Sequence, residues 1–168
     1  MNRCLQPTGF TLVEILIVVV ILGILAMIVV PQYGDAATEA REATLISDLR
    51  MMQRQIDRYK VDHKGRSPHF ASTGMQDYAN FAARLTGKTD ITGALAATGT
   101  YGPYLPELPD NPFISNSKLA SLVKVGKGAV SPRDGTTGWF FEAISQKIMP
   151  NSKTGALADF PAPASTRH

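Results

Sequence analysis

One stretch near the start limits this chain more than any other. From Phe10 to Val30 the sequence is an almost unbroken apolar run, and Glu14 is the one charge within it. About 21 residues at ~1.5 Å each make a helix of roughly 31 Å, which matches the ~30 Å hydrocarbon core of a bilayer. A carboxylate near one end of such a helix is costly and demands a reason. Thr11 and Glu14 stand at the spacing of a capping box, in which each side chain satisfies an exposed amide of the helix start.

A secretory signal peptide accounts poorly for this run. Its apolar region spans only about 7–15 residues and ends at a small-residue cut, whereas this one is longer, opens with an acid and ends at Val29-Val30-Pro31. An uncleaved signal anchor explains the length but leaves Glu14 unexplained. The residues ahead of the run carry Arg3 and the starting amine without an acid, and Asp35, Glu39, Arg41 and Glu42 follow it. The basic side stays cytoplasmic, so the rest of the chain is expected to face the periplasm from the inner membrane.

The junction Thr8-Gly9-Phe10-Thr11-Leu12-Val13-Glu14 resembles the N-terminus of type IV pilin-like proteins, the prepilins and pseudopilins. The resemblance covers Thr8 to Tyr33 and continues more loosely along the following helix. It implies that a prepilin peptidase removes the leader 1–9 by cutting after Gly9, and that the new terminus, Phe10, is N-methylated. It also implies that Glu14 of one subunit pairs with the Phe10 ammonium of the next. Such pairing offsets the cost of placing a carboxylate in hydrocarbon and fixes the axial stagger of neighbouring helices. The local cap as the whole role of Glu14 is the competing reading. Gly23 and Pro31 fall where the family has a loosened helix; proline lacks the amide hydrogen and clashes with the preceding turn, and glycine weakens the same stretch.

Charge and cysteine narrow the function further. There are 17 basic against 14 acidic residues, a formal +3, and the bases are scattered. Nucleic-acid binding wants them clustered on one face, so no nucleic-acid partner is expected. Cys4, the only cysteine, lies in the leader, so the processed chain has no disulfide to form. Many adhesive pilins close a C-terminal loop with a disulfide, and the resemblance therefore points toward a pseudopilin.

Beyond Pro31, residues Ala40, Ala43, Ile46, Leu49, Met52 or Gln53, Ile56 and Tyr59 recur at three- and four-residue steps. This predicts an amphipathic helix, continuous with the apolar one from about Phe10 to His63 and stopped by Lys64-Gly65. A second short helix is expected within Gln76 to Leu85, and a Gly-, Thr- and Ala-rich loop over Thr86 to Thr100. The four prolines between Tyr101 and Phe113 forbid a central strand. Gly102-Pro103-Tyr104-Leu105 within them resembles the segment that leads into the sheet of type II secretion major pseudopilins. Leu119 to Val125 reads as a strand, and Trp139 to Ile144 turning back through Lys147 to Met149 reads as a hairpin. Trp139, Phe141 and Ala143 share one face of it, with Phe140, Glu142 and Ile144 on the other; Trp139 is expected to anchor the core. The Ala-, Pro-, Ser- and Thr-rich stretch 152–168 is expected to be a flexible tail.

No nucleophile motif, phosphate loop or metal-ligand spacing is present, and His63, His69 and His168 are dispersed, so the chain is not expected to be an enzyme. The resemblance implies calcium in a C-terminal loop, with Asp134 and Gly135 nearest to such a site and Asp110 and Asn111 at a distance. However, Arg133 to Trp139 supplies a single carboxylate, and a bare Asp-Gly pair is ordinarily a turn. No cofactor is expected, with calcium the only one in view.

The expected fold is α+β and pilin-like: a leader (1–9), a membrane and assembly helix (10–30), its amphipathic continuation (31–64), a head with a small antiparallel sheet (65–151) and the tail. The expected role is a fibre subunit of a type II secretion pseudopilus. Its partners would be prepilin peptidase, identical subunits, other pseudopilins, inner-membrane assembly proteins and lipid. A type IV pilin for adhesion, motility or DNA uptake, and a membrane-anchored binding module that never polymerises, are the alternatives.

Overall fold

A computed structural model of the chain describes residues 9–127 and 133–153, with the side chains of 28–35 outside that description. Residues 1–8 of the leader, the tail from 154 onward and Pro31's side chain therefore lie outside the described residues. The chain forms two compact units, Met1–Ala40 and Arg41–His168. Helix α1, Leu12–Asp62, supplies residues to both and is helical throughout, position 31 included.

In the first unit, every described side chain from Phe10 to Met27 is exposed. A helix that is apolar on all sides belongs inside a membrane or a packed assembly. Among the described residues no helix is long and apolar enough to cross a membrane. The stretch with described side chains ends at Met27, after about 24 Å of helix at ~1.5 Å per residue.

In the second unit, α1 buries Leu45, Leu49, Met52, Ile56 and Tyr59, at alternating four- and three-residue steps. The stripe thus begins on Leu45, while Ala40 and Ala43 of the expected row are exposed. Both rows obey helical spacing, and only the packed head decides which of them is covered. The helix closes with the Gly65 amide donating to the Lys60 carbonyl at 2.7 Å, the six-to-one bond of a Schellman stop. Lys64 takes the left-handed position at φ 56°, with Gly65 at 81° beyond it.

Two short helices and three strands complete the unit. These are α2 (Phe81–Thr86), α3 (Ser117–Ala120), β1 (Val123–Gly126), β2 (Trp139–Glu142) and β3 (Lys147–Pro150). The segment expected as one strand from Leu119 is split, its start forming the end of α3. Here the Asn116 side chain accepts from the Lys118 amide and caps the helix. The sheet order is β1-β2-β3, and β2–β3 is the antiparallel hairpin expected. By contrast, β1 runs parallel to β2, with Val123 opposite Trp139, so the sheet is mixed rather than antiparallel. A parallel pair needs a crossover of about a dozen residues, and the stretch between Gly126 and Trp139 has that length.

The core gathers the α1 stripe, Phe81, Leu85, Leu105, Trp139, Phe141 and Ile148. Trp139 is fully buried, and its indole N–H donates to the Pro109 carbonyl at 2.7 Å. The central strand is covered on both faces, because Phe140 and Glu142 are buried as well, while Ile144 at the hairpin tip is exposed. The Phe140 ring lies against Gly126, and the Glu142 carboxylate turns back to accept from the amides of Ile144 and Ser145. The outer edge of β3 is closed by a side chain: Gln53 accepts from the Ile148 amide at 3.1 Å and donates to the Gln146 carbonyl at 3.3 Å.

His63 and His69 both lie in turn segments and are buried. His63 stacks on Tyr59 at 3.8 Å and bridges the Tyr59 carbonyl and the Thr89 hydroxyl. His69 meets the Ser67 hydroxyl at 2.9 Å. Burial lowers the His69 pKa from its ordinary 6.5, the Arg84 charge adds to that, and Glu142 opposes it. A folded state that resists protonation binds fewer protons than the unfolded chain just below pH 6.5, so stability is full above that value and declines as the pH falls. Denaturant midpoints measured from neutral pH to about pH 5 should fall, and His69→Gln should flatten that slope.

Candidate functional site

The capping box at the start of α1 is formed. The Thr11 amide and hydroxyl donate to Glu14 Oε2 at 2.9 and 3.0 Å, and the Glu14 amide donates to Thr11 Oγ1 at 3.2 Å. The two bonds from Thr11 use the same carboxylate oxygen, Oε2. Among the described residues nothing bonds Oε1, and Glu14 is exposed. The carboxylate is thus held at the first turn with one oxygen engaged and the other without a bond among the described residues. Phe10, four residues before Glu14, is 82% exposed. The structure therefore brings Gly9, Phe10, Thr11 and Glu14 together at one helix end.

Gly23 lies farther along the same helix, and a Cβ added there would meet nothing within 4 Å. Among the described residues no packing requires glycine at this position. The helix is unbroken through Gly23 and position 31, while the Pro31 side chain lies outside the described residues.

The head holds a second polar centre that sequence reasoning did not find. Arg84 of α2 is buried, and its guanidinium donates to the carbonyls of Gly93 (3.0 Å), Pro68 (3.0 Å) and Asp77 (3.2 Å) and to Asp77 Oδ2 (2.5 Å). Hydrogen bonds from Asn80 and then Arg84 hold the Asp77 carboxyl below its ordinary 3.8. This centre ties three loop segments to α2 and has a structural character. The available signal was one arginine inside the apolar run Phe81-Ala82-Ala83-Arg84-Leu85.

Of the residues considered for a metal, Asn111 is buried and donates to the Gly138 carbonyl at 2.7 Å while accepting from the Phe113 amide. Asp134 organises its own turn, accepting from the Thr136 amide and hydroxyl. Among the described residues no three His, Cys, Asp or Glu side chains are grouped to hold a metal ion.

Comparison with known proteins bears on the first of these centres and on the head. The model of the prokaryotic N-terminal methylation motif matches residues 8–30. The type II secretion system core protein G of Dickeya chrysanthemi is 44% identical over 131 residues, 73% of this chain and 73% of that protein. The core protein G of Pseudomonas aeruginosa is 45% identical over 58 residues, 34% of this chain and 41% of that one, so that match spans less than half of the relative. The type IV major fimbrial protein FimA of Dichelobacter nodosus is 31% identical over 156 residues, 86% of this chain and 93% of that protein. No solved structure matches.

Proposed function

Because this chain belongs to the family of the type II secretion system core protein G, within the type IV pilin-like proteins, we propose that it is the repeating subunit of a periplasmic pseudopilus that helps export proteins. The observation that carries this reading is the extent of the likeness to core protein G, which runs past the methylation motif and into the head. In this reading prepilin peptidase cuts between Gly9 and Phe10, and Phe10 is then N-methylated. The subunit waits in the inner membrane with its head in the periplasm. It then polymerises through α1, where Glu14 Oε1 receives the Phe10 ammonium of a neighbouring subunit. Gly23 and Pro31 let the helix yield as it leaves the bilayer. Other pseudopilins and inner-membrane assembly proteins complete the machine, and the work of the chain is structural rather than catalytic.

The test is the mature N-terminus of the protein from its native membrane, read by mass spectrometry. The expected chain begins at N-methylated Phe10. A chain still beginning at Met1, or one cut near Ala37, overturns the reading and favours an anchored module that never polymerises.

The similarity to FimA over most of the chain supports a second reading, a type IV pilus subunit. Deleting the gene separates the two: loss of secreted enzymes selects the pseudopilus, and loss of surface filaments selects the pilus.

A further inference from the structure

We propose that the loop entering β2 is closed by an internal cation, the Lys124 ammonium, and that the head therefore folds and holds this loop without a divalent metal. The loop, 133–138, is the part of the chain where the pilin-like resemblance leads one to look for calcium.

The donor chemistry at Asp134 decides the matter. Its Oδ1 accepts from the Thr136 amide (2.9 Å), the Thr136 hydroxyl (2.7 Å) and Asn151 Nδ2 (2.8 Å). Its Oδ2 accepts from Lys124 Nζ at 3.0 Å. Each of these partners gives a proton, whereas calcium needs about six to eight oxygens that give lone pairs. A cation at Oδ2 would displace an ammonium or stand beside it at strongly repulsive range. The surroundings add to the mismatch: Arg133 adjoins Asp134, and the stem of Lys153 lies along Gly135. Among the described residues, the donors at this loop therefore do not fit a divalent cation. The donors, Thr136 foremost, hold the Asp134 carboxyl far below its ordinary range, so it stays ionised opposite Lys124.

The same loop is clamped from two strands. Lys124 reaches it from β1. From the end of β3, fully buried Asn151 donates to Asp134 and to Thr137 Oγ1, accepts from the Gly135 amide at 2.9 Å and donates its own amide to the Gly138 carbonyl at 2.9 Å. Lys124 and Asn151 together fix a turn for which a metal would otherwise supply the central contact.

The experiment uses the full chain in detergent, melted in excess chelator and in millimolar calcium chloride. The wild-type Tm is expected to be the same in both media. Lys124→Met is expected to melt about 2–4 °C lower in both, as for loss of one well-held ion pair in a domain of this size. Lys124→Arg, which keeps the charge, is expected to stay near the wild-type Tm. A wild-type Tm that rises by several degrees with calcium, as for a ligand present at ~100 times its Kd, overturns the proposal. So does a Lys124→Met chain that melts at the wild-type temperature in chelator.

Discussion

Replacing Glu14 with alanine is expected to leave a folded head and remove the fibres. The head occupies the unit from Arg41 onward, far along the chain from this residue. Within one chain the substitution loses, among the described residues, the capping box alone, a small loss at an exposed helix start. Between chains it deletes the charge proposed to meet the Phe10 ammonium inside an apolar assembly. Removing one partner of such a desolvated pair costs about 3–5 kcal/mol. A factor of ten corresponds to ~1.4 kcal/mol, so the concentration needed for polymerisation rises at least about 100-fold. The decisive variant is Glu14→Gln. Glutamine serves a capping box as well as glutamate does but carries no charge. If Glu14 only caps its own helix, Glu14→Gln assembles normally. If it pairs across subunits, the variant fails as alanine does. Sheared-fibre yield, read beside the amount of subunit retained in the membrane, separates the two results.

Arg84→Met is the second large effect, and it acts on the head alone. The substitution keeps much of the side-chain volume but strips the carbonyls of Pro68, Asp77 and Gly93 and the Asp77 carboxylate of their shared donor. Arg84 is buried but Asp77 is partly exposed, so the cost lies below the about 3–5 kcal/mol of a fully buried pair. It is nearer the roughly 1–3 kcal/mol of buried groups left unsatisfied, against a total stability of about 5–15 kcal/mol for a native domain. Equilibrium urea unfolding should show that loss, and a cost under about 1 kcal/mol would mean that water replaces the guanidinium without penalty. Arg84→Lys should recover only part, since one ammonium cannot reproduce the planar fork. Acid should weaken the same centre. Because the folded Asp77 carboxyl lies below its ordinary 3.8, its contribution is present above that value and is lost as the pH falls through the lower folded one.

Features that depend on local chemistry were legible in the residues. Thr11 and Glu14 announce a capping box by spacing alone, and the box is formed. The period of the amphipathic segment yields the helix, and the Trp139–Met149 alternation yields the hairpin. What escaped depends on residues brought together from distant segments. Leu45 and Ala43 satisfy the same helical period, and only the packed head prefers Leu45. Lys124 lies in a short strand whose parallel partner begins past a crossover, so neither the pairing nor its contact with Asp134 has a local signature. Arg84 binds carbonyls from three loops, and a carbonyl is the same in every residue. At the candidate site, the Thr11–Glu14 box was readable because its members are neighbours in sequence, whereas the Arg84 centre was not.

The amide of Gln53 has a consequence for life in a crowd. A polymer of this subunit would hold many identical sheets close together for as long as it stood, which is the circumstance that favours strand-to-strand templating. By occupying the Ile148 amide and the Gln146 carbonyl, Gln53 removes two of the contacts a stray copy would need at β3. One side chain on the helix thus blunts the edge at which β3 would otherwise offer itself to a neighbour.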